Sequence, residues 1–186
     1  MNQTKIVFLR HADTQKDPNT HAALWGLSEK GQLESEEVSK LPTMQSVDII
    51  YVSDEPKTAL TVAPLAKKMG KEIHPLRAFN EVARGEKFLT KEEFEAEKEK
   101  QLSDLSYQAF NGESGIEALA RFKEGVNQVC AANEGKTVLI VTHGTVLNIY
   151  FADLLNVYEE LPERWSKTAF CAYGVVQDGT VIKDIV

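Results

Sequence analysis

The chain has 186 residues, 42% of them hydrophobic, which is enough to bury one full core and lies within the usual size of a single domain. A formal net charge of −7 at pH 7 and a pI near 5.2 argue against nucleic acid or an anionic membrane as partner, since either needs clustered Lys and Arg to neutralise phosphates. No apolar stretch approaches the roughly twenty residues that span a bilayer, and Met1 to Lys5 lacks the basic-then-apolar layout of a signal peptide. A cytoplasmic location is therefore expected.

Short β-branched runs alternate with longer helical patterns, the signature of βα units around a mostly parallel sheet in a three-layer α/β/α arrangement. In chain order, strands are predicted at Lys5 to Leu9, Val47 to Val52, Glu72 to Pro75, Thr137 to Thr142, Cys171 to Gln177 and Val181 to Val186. The last two read as a hairpin around Asp178-Gly179. Helices are predicted at Ser28 to Lys40, Pro56 to Met69, Thr90 to Lys100, Glu113 to Ala132 and Thr145 to Leu155. Ser28 and Thr90 read as N-caps, and Gly70 closes the second helix. Lys91 to Lys100 is so charged that it reads as a solvated helix, part of an insertion at about 86–110. Cys130 and Cys171 fit neither a disulfide framework nor a paired metal motif, and both are expected to be buried structural residues.

Two of the buried-type strands end in a histidine. Ile6-Val7-Phe8-Leu9 runs into Arg10-His11, and Val138-Leu139-Ile140-Val141 runs into Thr142-His143-Gly144. Parallel sheets hold ligands at such strand ends, so the two imidazoles mark a site rather than a core pattern. Zinc is disfavoured: there is no His-Glu-x-x-His or Cys/His cluster, and Arg10 beside His11 would repel a cation. A serine nucleophile would call for Gly-x-Ser-x-Gly, which Gly112-Glu113-Ser114-Gly115 does not supply. A pocket with Arg10, two imidazoles and nearby backbone amides suits an oxyanion carrying several charges, most simply a phosphate. No cofactor and no metal is called for.

Phe8-Leu9-Arg10-His11-Ala12-Asp13-Thr14 resembles the Arg-His-Gly motif that follows the first strand in the histidine phosphatase superfamily, the group that includes the cofactor-dependent phosphoglycerate mutases. Leu27-Ser28-Glu29-Lys30-Gly31 is similar to that family's Leu-Thr-x-x-Gly helix start. The stretch from Val52 to Thr61 resembles the segment carrying its second basic residue. Phe79 to Gly85 is similar to its Glu-x-x-x-Gly turn, Gly112-Glu113-Ser114 to its Gly-Glu-Ser, and Thr142-His143-Gly144 to its second His-Gly. The order of these motifs covers nearly the whole chain.

The resemblance implies a phosphoglycerate mutase-like fold and a set of roles. His11 would be the nucleophile, forming a phosphohistidine that water hydrolyses. An imidazole attacks only when neutral, and Arg10 and Lys57 nearby would hold its pKa down while also binding phosphate oxygens. His143 would donate to a phosphate oxygen, and Thr14 and Gly144 would line the phosphate site. Glu81 would protonate the leaving oxygen, a role that needs a raised pKa. Asp13, Glu86 and Glu113 compete with Glu81 as the acid. Arg84 and Ser53 are weaker candidates for the pocket lining, while His21 and His74 read as structural. Lys57 stands in the first turn of a helix, where the helix dipole disfavours a cation, so an anion is expected beside it.

Three departures from the family pattern stand out. Ala12 replaces a glycine and requires a loop that avoids positive φ; Lys57 replaces an arginine, giving a point charge for a planar fork. Asp17 stands where many members have a phosphate-binding asparagine, and a carboxylate there would repel phosphate unless Pro18 turns it away and brings in Asn19. The reading favoured by the sequence is a metal-independent phosphatase of a small phosphorylated metabolite, as a monomer or a homodimer. The chain's end on a strand, without a long covering tail, counts against a mutase, which must keep its phosphoenzyme from water. A protein phosphohistidine phosphatase and an inactive phosphate-binding module are the other readings.

Overall fold

The computed structural model describes residues 4–85 and 90–186. Its centre is a six-stranded sheet of β1 (Lys5–Arg10), β2 (Ile49–Val52), β3 (Ile73–Pro75), β4 (Thr137–Thr142), β5 (Tyr173–Gln177) and β6 (Thr180–Lys183), in the order β3-β2-β4-β1-β5-β6. The β3-β2, β2-β4 and β4-β1 pairs are parallel; β5 and β6 are antiparallel additions at the β1 edge. Asp178 and Gly179, with φ of 49° and 74°, form the β5–β6 turn, a geometry that hairpins favour because it follows the strand twist.

Around the sheet lie α1 (Glu29–Val38), α2 (Pro42–Gln45), α3 (Pro56–Met69), α4 (Lys91–Ser103), α5 (Gly115–Ala132), α6 (Gly144–Leu155) and α7 (Leu161–Lys167). Alternate residues of β1 and β4 feed two cores, as a strand's period of two requires. Ile6, Phe8, Val138 and Ile140 pack with Phe122 of α5 and Phe151 of α6; Val7, Leu9, Leu139 and Val141 pack with Val38 of α1 and Leu65 of α3. The result is a three-layer α/β/α fold. Emptying the position of Phe8, which is fully buried against Phe122, Tyr150 and Phe151, would cost about 3–5 kcal/mol.

Local chemistry explains the helix starts and one irregularity. Ser28 accepts the Gly31 N–H at 3.0 Å, Thr90 and Ser114 form capping boxes with Glu93 and Glu117, and Gly70 closes α3 in the left-handed conformation. Pro64 inside α3 cannot donate to the carbonyl one turn back, that of Leu60. Ser35 of α1 faces that gap, its hydroxyl 2.9 Å from the Thr61 carbonyl and 3.3 Å from that of Leu60.

Several sequence expectations are corrected. Strand β5 begins at Tyr173 rather than Cys171, because Cys171 has a φ of 58° and breaks the extended run. Cys130 and Cys171 are free thiols but only half-buried. The charged helix is not simply solvated: α4 buries Lys98, Gln101 and Leu102 and sets Phe94 against Trp165 of α7. The expected insertion at 86–110 includes residues 86–89, which lie outside the described residues, as does the rival acid Glu86. Among the described residues no helix is long and apolar enough to cross a membrane.

Candidate active site

The register of β1 against β4 pairs Arg10 with Thr142, so the next residue of each strand, His11 and His143, emerges at the same edge. Their ring centroids are 5.1 Å apart with 62° between the planes. The His11 N–H donates to the Thr142 carbonyl at 2.9 Å, tying the turn after β1 to β4.

The His11 ring is fixed in one useful tautomer. Its Nδ1 lies 2.8 Å from the Ala12 carbonyl oxygen, which can only accept, so Nδ1 carries the hydrogen and Nε2 keeps its lone pair in the neutral ring. Burial, with His143 and then Lys57 and Arg10 beside it, holds the His11 pKa well below the ordinary histidine value. The ring is thus neutral at physiological pH. Ala12 avoids positive φ, and its N–H donates to Thr61 Oγ1 at 2.9 Å rather than into the site.

The loop after His11 is held by the Leu27-to-Gly31 motif. Ser28 donates to Asp13 Oδ2 at 2.6 Å, and a Cβ on Gly31 would lie 2.0 Å from the Asp13 carbonyl oxygen, so only glycine lets α1 approach this closely. Asp13 is thereby committed to the start of α1, and Glu113 to Arg121 through contacts of 2.9 and 2.7 Å. Glu81, by contrast, exerts its charge on His143. Thr14 forms a bridge with Leu27 further along the loop; among the described residues no hydrogen bond ties its side chain to either histidine. Asp17 accepts from the Asn19 backbone and side chain in an exposed turn, which places neither of them at the ring pair.

Arg10 crosses beneath the site. Its guanidinium donates to the Thr168 carbonyl and stacks 4.4 Å above the Phe170 ring, which also lies against His11. A Cβ on Gly144 would lie 3.0 Å from Arg10 Cζ and Nε. Gly144 thus leaves room for Arg10 at the first turn of α6.

Glu81 is brought in by three hydrogen bonds. Thr142 donates its hydroxyl to the Phe79 carbonyl at 2.7 Å, and the carboxylate accepts the Thr145 and Val146 N–H groups at the start of α6 at 3.0 and 2.9 Å. The residue keeps some surface, but its carboxyl group is enclosed. Burial favours its neutral form, yet His143, Lys98, Arg84 and the Thr145 amide outweigh burial and hold the carboxyl well below the usual range. This corrects the expectation of a raised pKa: the carboxylate is ionised unless further negative charge arrives. His143 is also held neutral, its pKa pushed down to about 3 by burial against the upward pull of Glu81, with Lys57, Arg84 and Arg10 adding to the downward shift.

Other residues at the site escaped the sequence reading or were ranked low. Ser53 Oγ lies 2.8 Å from His143 Nε2. Glu55 is buried, with Oε2 2.6 Å from Lys57 Nζ and Oε1 3.4 Å from His143 Nε2. Lys57 also donates to the Ala22 carbonyl at 2.7 Å. The anion expected beside Lys57 is thus, in part, the protein's own carboxylate. Lys98, 2% exposed, donates to Gln101 Oε1 and Thr145 Oγ1, and burial pushes its pKa down to about 7 against the pull of Glu81. Among the described residues no group of His, Cys, Asp and Glu is placed to hold a metal ion.

Ordered motifs, two strand-end imidazoles and this sheet topology meet in one known family, and the model of the histidine phosphatase superfamily, branch 1, matches residues 6–185. The chain belongs to the histidine phosphatase superfamily. Solved structures with the same fold include Bacillus stearothermophilus YhfR, with a TM-score of 0.80, 22% identity, and coverage of 97% of this chain and 95% of that one. A phosphoserine phosphatase variant from Entamoeba histolytica in complex with phosphoserine has a TM-score of 0.77 at 22% identity, covering 97% and 94%. Mycobacterial glucosyl-3-phosphoglycerate phosphatase has a TM-score of 0.78 at 19% identity, covering 94% and 90%. At these identities the likeness is one of fold. No curated protein sequence matches the chain. At this site a buried carboxylate, Glu55, lies next to Lys57.

Proposed function

We propose that this histidine phosphatase superfamily member is a metal-independent phosphatase that hydrolyses a small phosphomonoester through a phosphohistidine on His11. One observation carries the reading: the Nδ1–H to Ala12 carbonyl contact leaves Nε2 of a neutral, buried imidazole as the nucleophile, beside the cations Arg10 and Lys57. An uncharged nucleophile among cations is what attack on a phosphate dianion requires.

In the first step, His11 Nε2 bonds to phosphorus as the bond from phosphorus to the ester oxygen breaks. Glu81, protonated once the phosphoryl charge lies beside it, gives its proton to the departing oxygen. Water then attacks phosphorus, the N–P bond breaks, a proton returns to Glu81, and inorganic phosphate leaves. Arg10 and Lys57 offset the charge on the phosphoryl oxygens throughout, and neutral His143 donates a hydrogen bond to one of them. Thr14 and Gly144 remain proposed lining residues, Gly144 through the space that it leaves for Arg10.

Phosphate release should be measured on a panel of phosphorylated metabolites after dialysis against a chelator, with His11→Ala as control. Phosphorylated small acids head the panel, because two of the proteins that share the fold are phosphatases named for phosphoserine and for glucosyl-3-phosphoglycerate. Release by the chelated wild type and not by His11→Ala is expected. Equal release by both, or activity restored only by divalent cations, contradicts the reading.

A further inference from the structure

Lys57 stands at the second position of α3, after Glu55 at the cap and Pro56 at the first turn, a place where the positive end of the helix dipole opposes a cation. Its side chain is nonetheless 6% exposed, and a buried ammonium needs a counter-charge. Glu55 provides it at 2.6 Å. Glu55 caps no backbone N–H of its own helix; its Oε1 instead accepts the Glu81 N–H at 3.0 Å and lies 3.4 Å from His143 Nε2. One carboxylate therefore touches the phosphate-binding lysine, the backbone of the acid and the second imidazole.

We propose that Glu55 is a positioning residue that acts as an internal counter-ion, competing with the phosphoryl group for Lys57 and so weakening the hold of the site on inorganic phosphate. This rests on the reading of Lys57 as a phosphate ligand. The exchange is covalently neutral: when an anion engages Lys57, the Nζ–H donated to Glu55 Oε2 turns to a phosphoryl oxygen, and Glu55 keeps the Glu81 amide. A lysine suits such an exchange, because it offers a rotatable point charge, whereas an arginine fork would bind the carboxylate through two parallel bonds. The benefit falls on product release. Two negative groups sharing one buried cation repel each other, so phosphate leaves more readily than it would from an unshared lysine.

The test is isothermal titration of inorganic phosphate into wild type, Glu55→Gln and Lys57→Ala, with circular dichroism as the check on folding. Glu55→Gln keeps the size and an acceptor for the Glu81 amide but removes the charge. It should bind phosphate about tenfold or more tightly, since like charges brought together in a desolvated site cost at least a decade of affinity. A residue that merely supports the fold would weaken binding on substitution, so the sign separates the two roles. Lys57→Ala should bind phosphate at least about tenfold more weakly than the wild type, because the cation that Glu55 and phosphate share is gone. Should Glu55→Gln fail to fold, Glu55→Asp, whose carboxylate is withdrawn by one methylene, should still tighten binding several-fold. Unchanged or weaker phosphate binding in the folded Glu55→Gln variant, or unchanged binding in Lys57→Ala, overturns the proposal. Because titration needs no turnover, a protein that hydrolyses none of the panel yet tightens on phosphate when Glu55 is replaced sinks the phosphatase reading and leaves the counter-ion standing.

Discussion

Glu81 and Thr145 are joined across 64 positions of sequence by one hydrogen bond, the Thr145 N–H donating to Glu81 Oε2 at 3.0 Å. That contact seats the carboxylate on the first turn of the helix that His143 opens, with Val146 serving the other oxygen. Both amides favour the ionised form, so the proton donation proposed for Glu81 depends on charge brought by the substrate. A general acid matters most for a poor leaving group. Glu81→Gln should slow phosphoryl transfer from an alkyl phosphate by roughly a hundredfold or more and from an aryl phosphate with an acidic phenol far less, read on the first half-reaction by burst or single-turnover kinetics. Equal losses on the two substrates would assign Glu81 a positioning role instead.

The buried histidines also set how stability depends on pH. His11 and His143 are neutral in the fold, with pKa values well below their unfolded value of about 6.5, so below that value the unfolded chain binds more protons than the native one. Stability must fall on acidification through pH 6.5. Lowering the pH from 7.5 to 5.5 should cost about 3 kcal/mol, visible as a drop in the urea midpoint, and His143→Asn should flatten that dependence. Lys98 acts with the same sign higher up, where raising the pH from about 7 toward 10 relieves the cost of burying its charge. A urea midpoint that rises on acidification would contradict both assignments.

Gly144 makes a sharper geometric prediction. An added methyl would press on the guanidinium of Arg10 at 3.0 Å, which is the far end of a flexible side chain, so the fold should tolerate Gly144→Ala with a loss under about 1 kcal/mol. Displacing Arg10 by a few tenths of an ångström should still lower kcat/KM by about tenfold, as small misplacements of transition-state contacts do. Unchanged kinetics would mean that Arg10 does not meet the phosphoryl group.

The parts of this fold that are local in origin were legible in the sequence. Continuous β-branched runs ending in histidine could be read as buried parallel strands with their site at the edge, and Ser28, Thr90 and Gly70 announce helix ends through short-range hydrogen bonding. Short α2 and α7 begin near prolines and span too few turns to show a period. Lys98 was hidden for another reason: within a run of Lys and Glu, one lysine is distinguished by partners such as Thr145, far along the chain. Glu55 is similar. Nothing in Asp54-Glu55-Pro56 tells that its oxygens will face Lys57 and the backbone of Glu81, because that meeting is made by the packing of β2 and α3 against the segment after β3.

Chemistry at His11 is the claim on which the account turns, and trapping the intermediate tests it most directly. The wild type, mixed with a hydrolysable phosphomonoester and quenched rapidly without acid, should carry one phosphoryl group that peptide mass spectrometry places on the peptide containing His11. His11→Ala should carry none. Label on a serine, on an aspartate or on His143, or turnover with no label at all under single-turnover conditions, would contradict it.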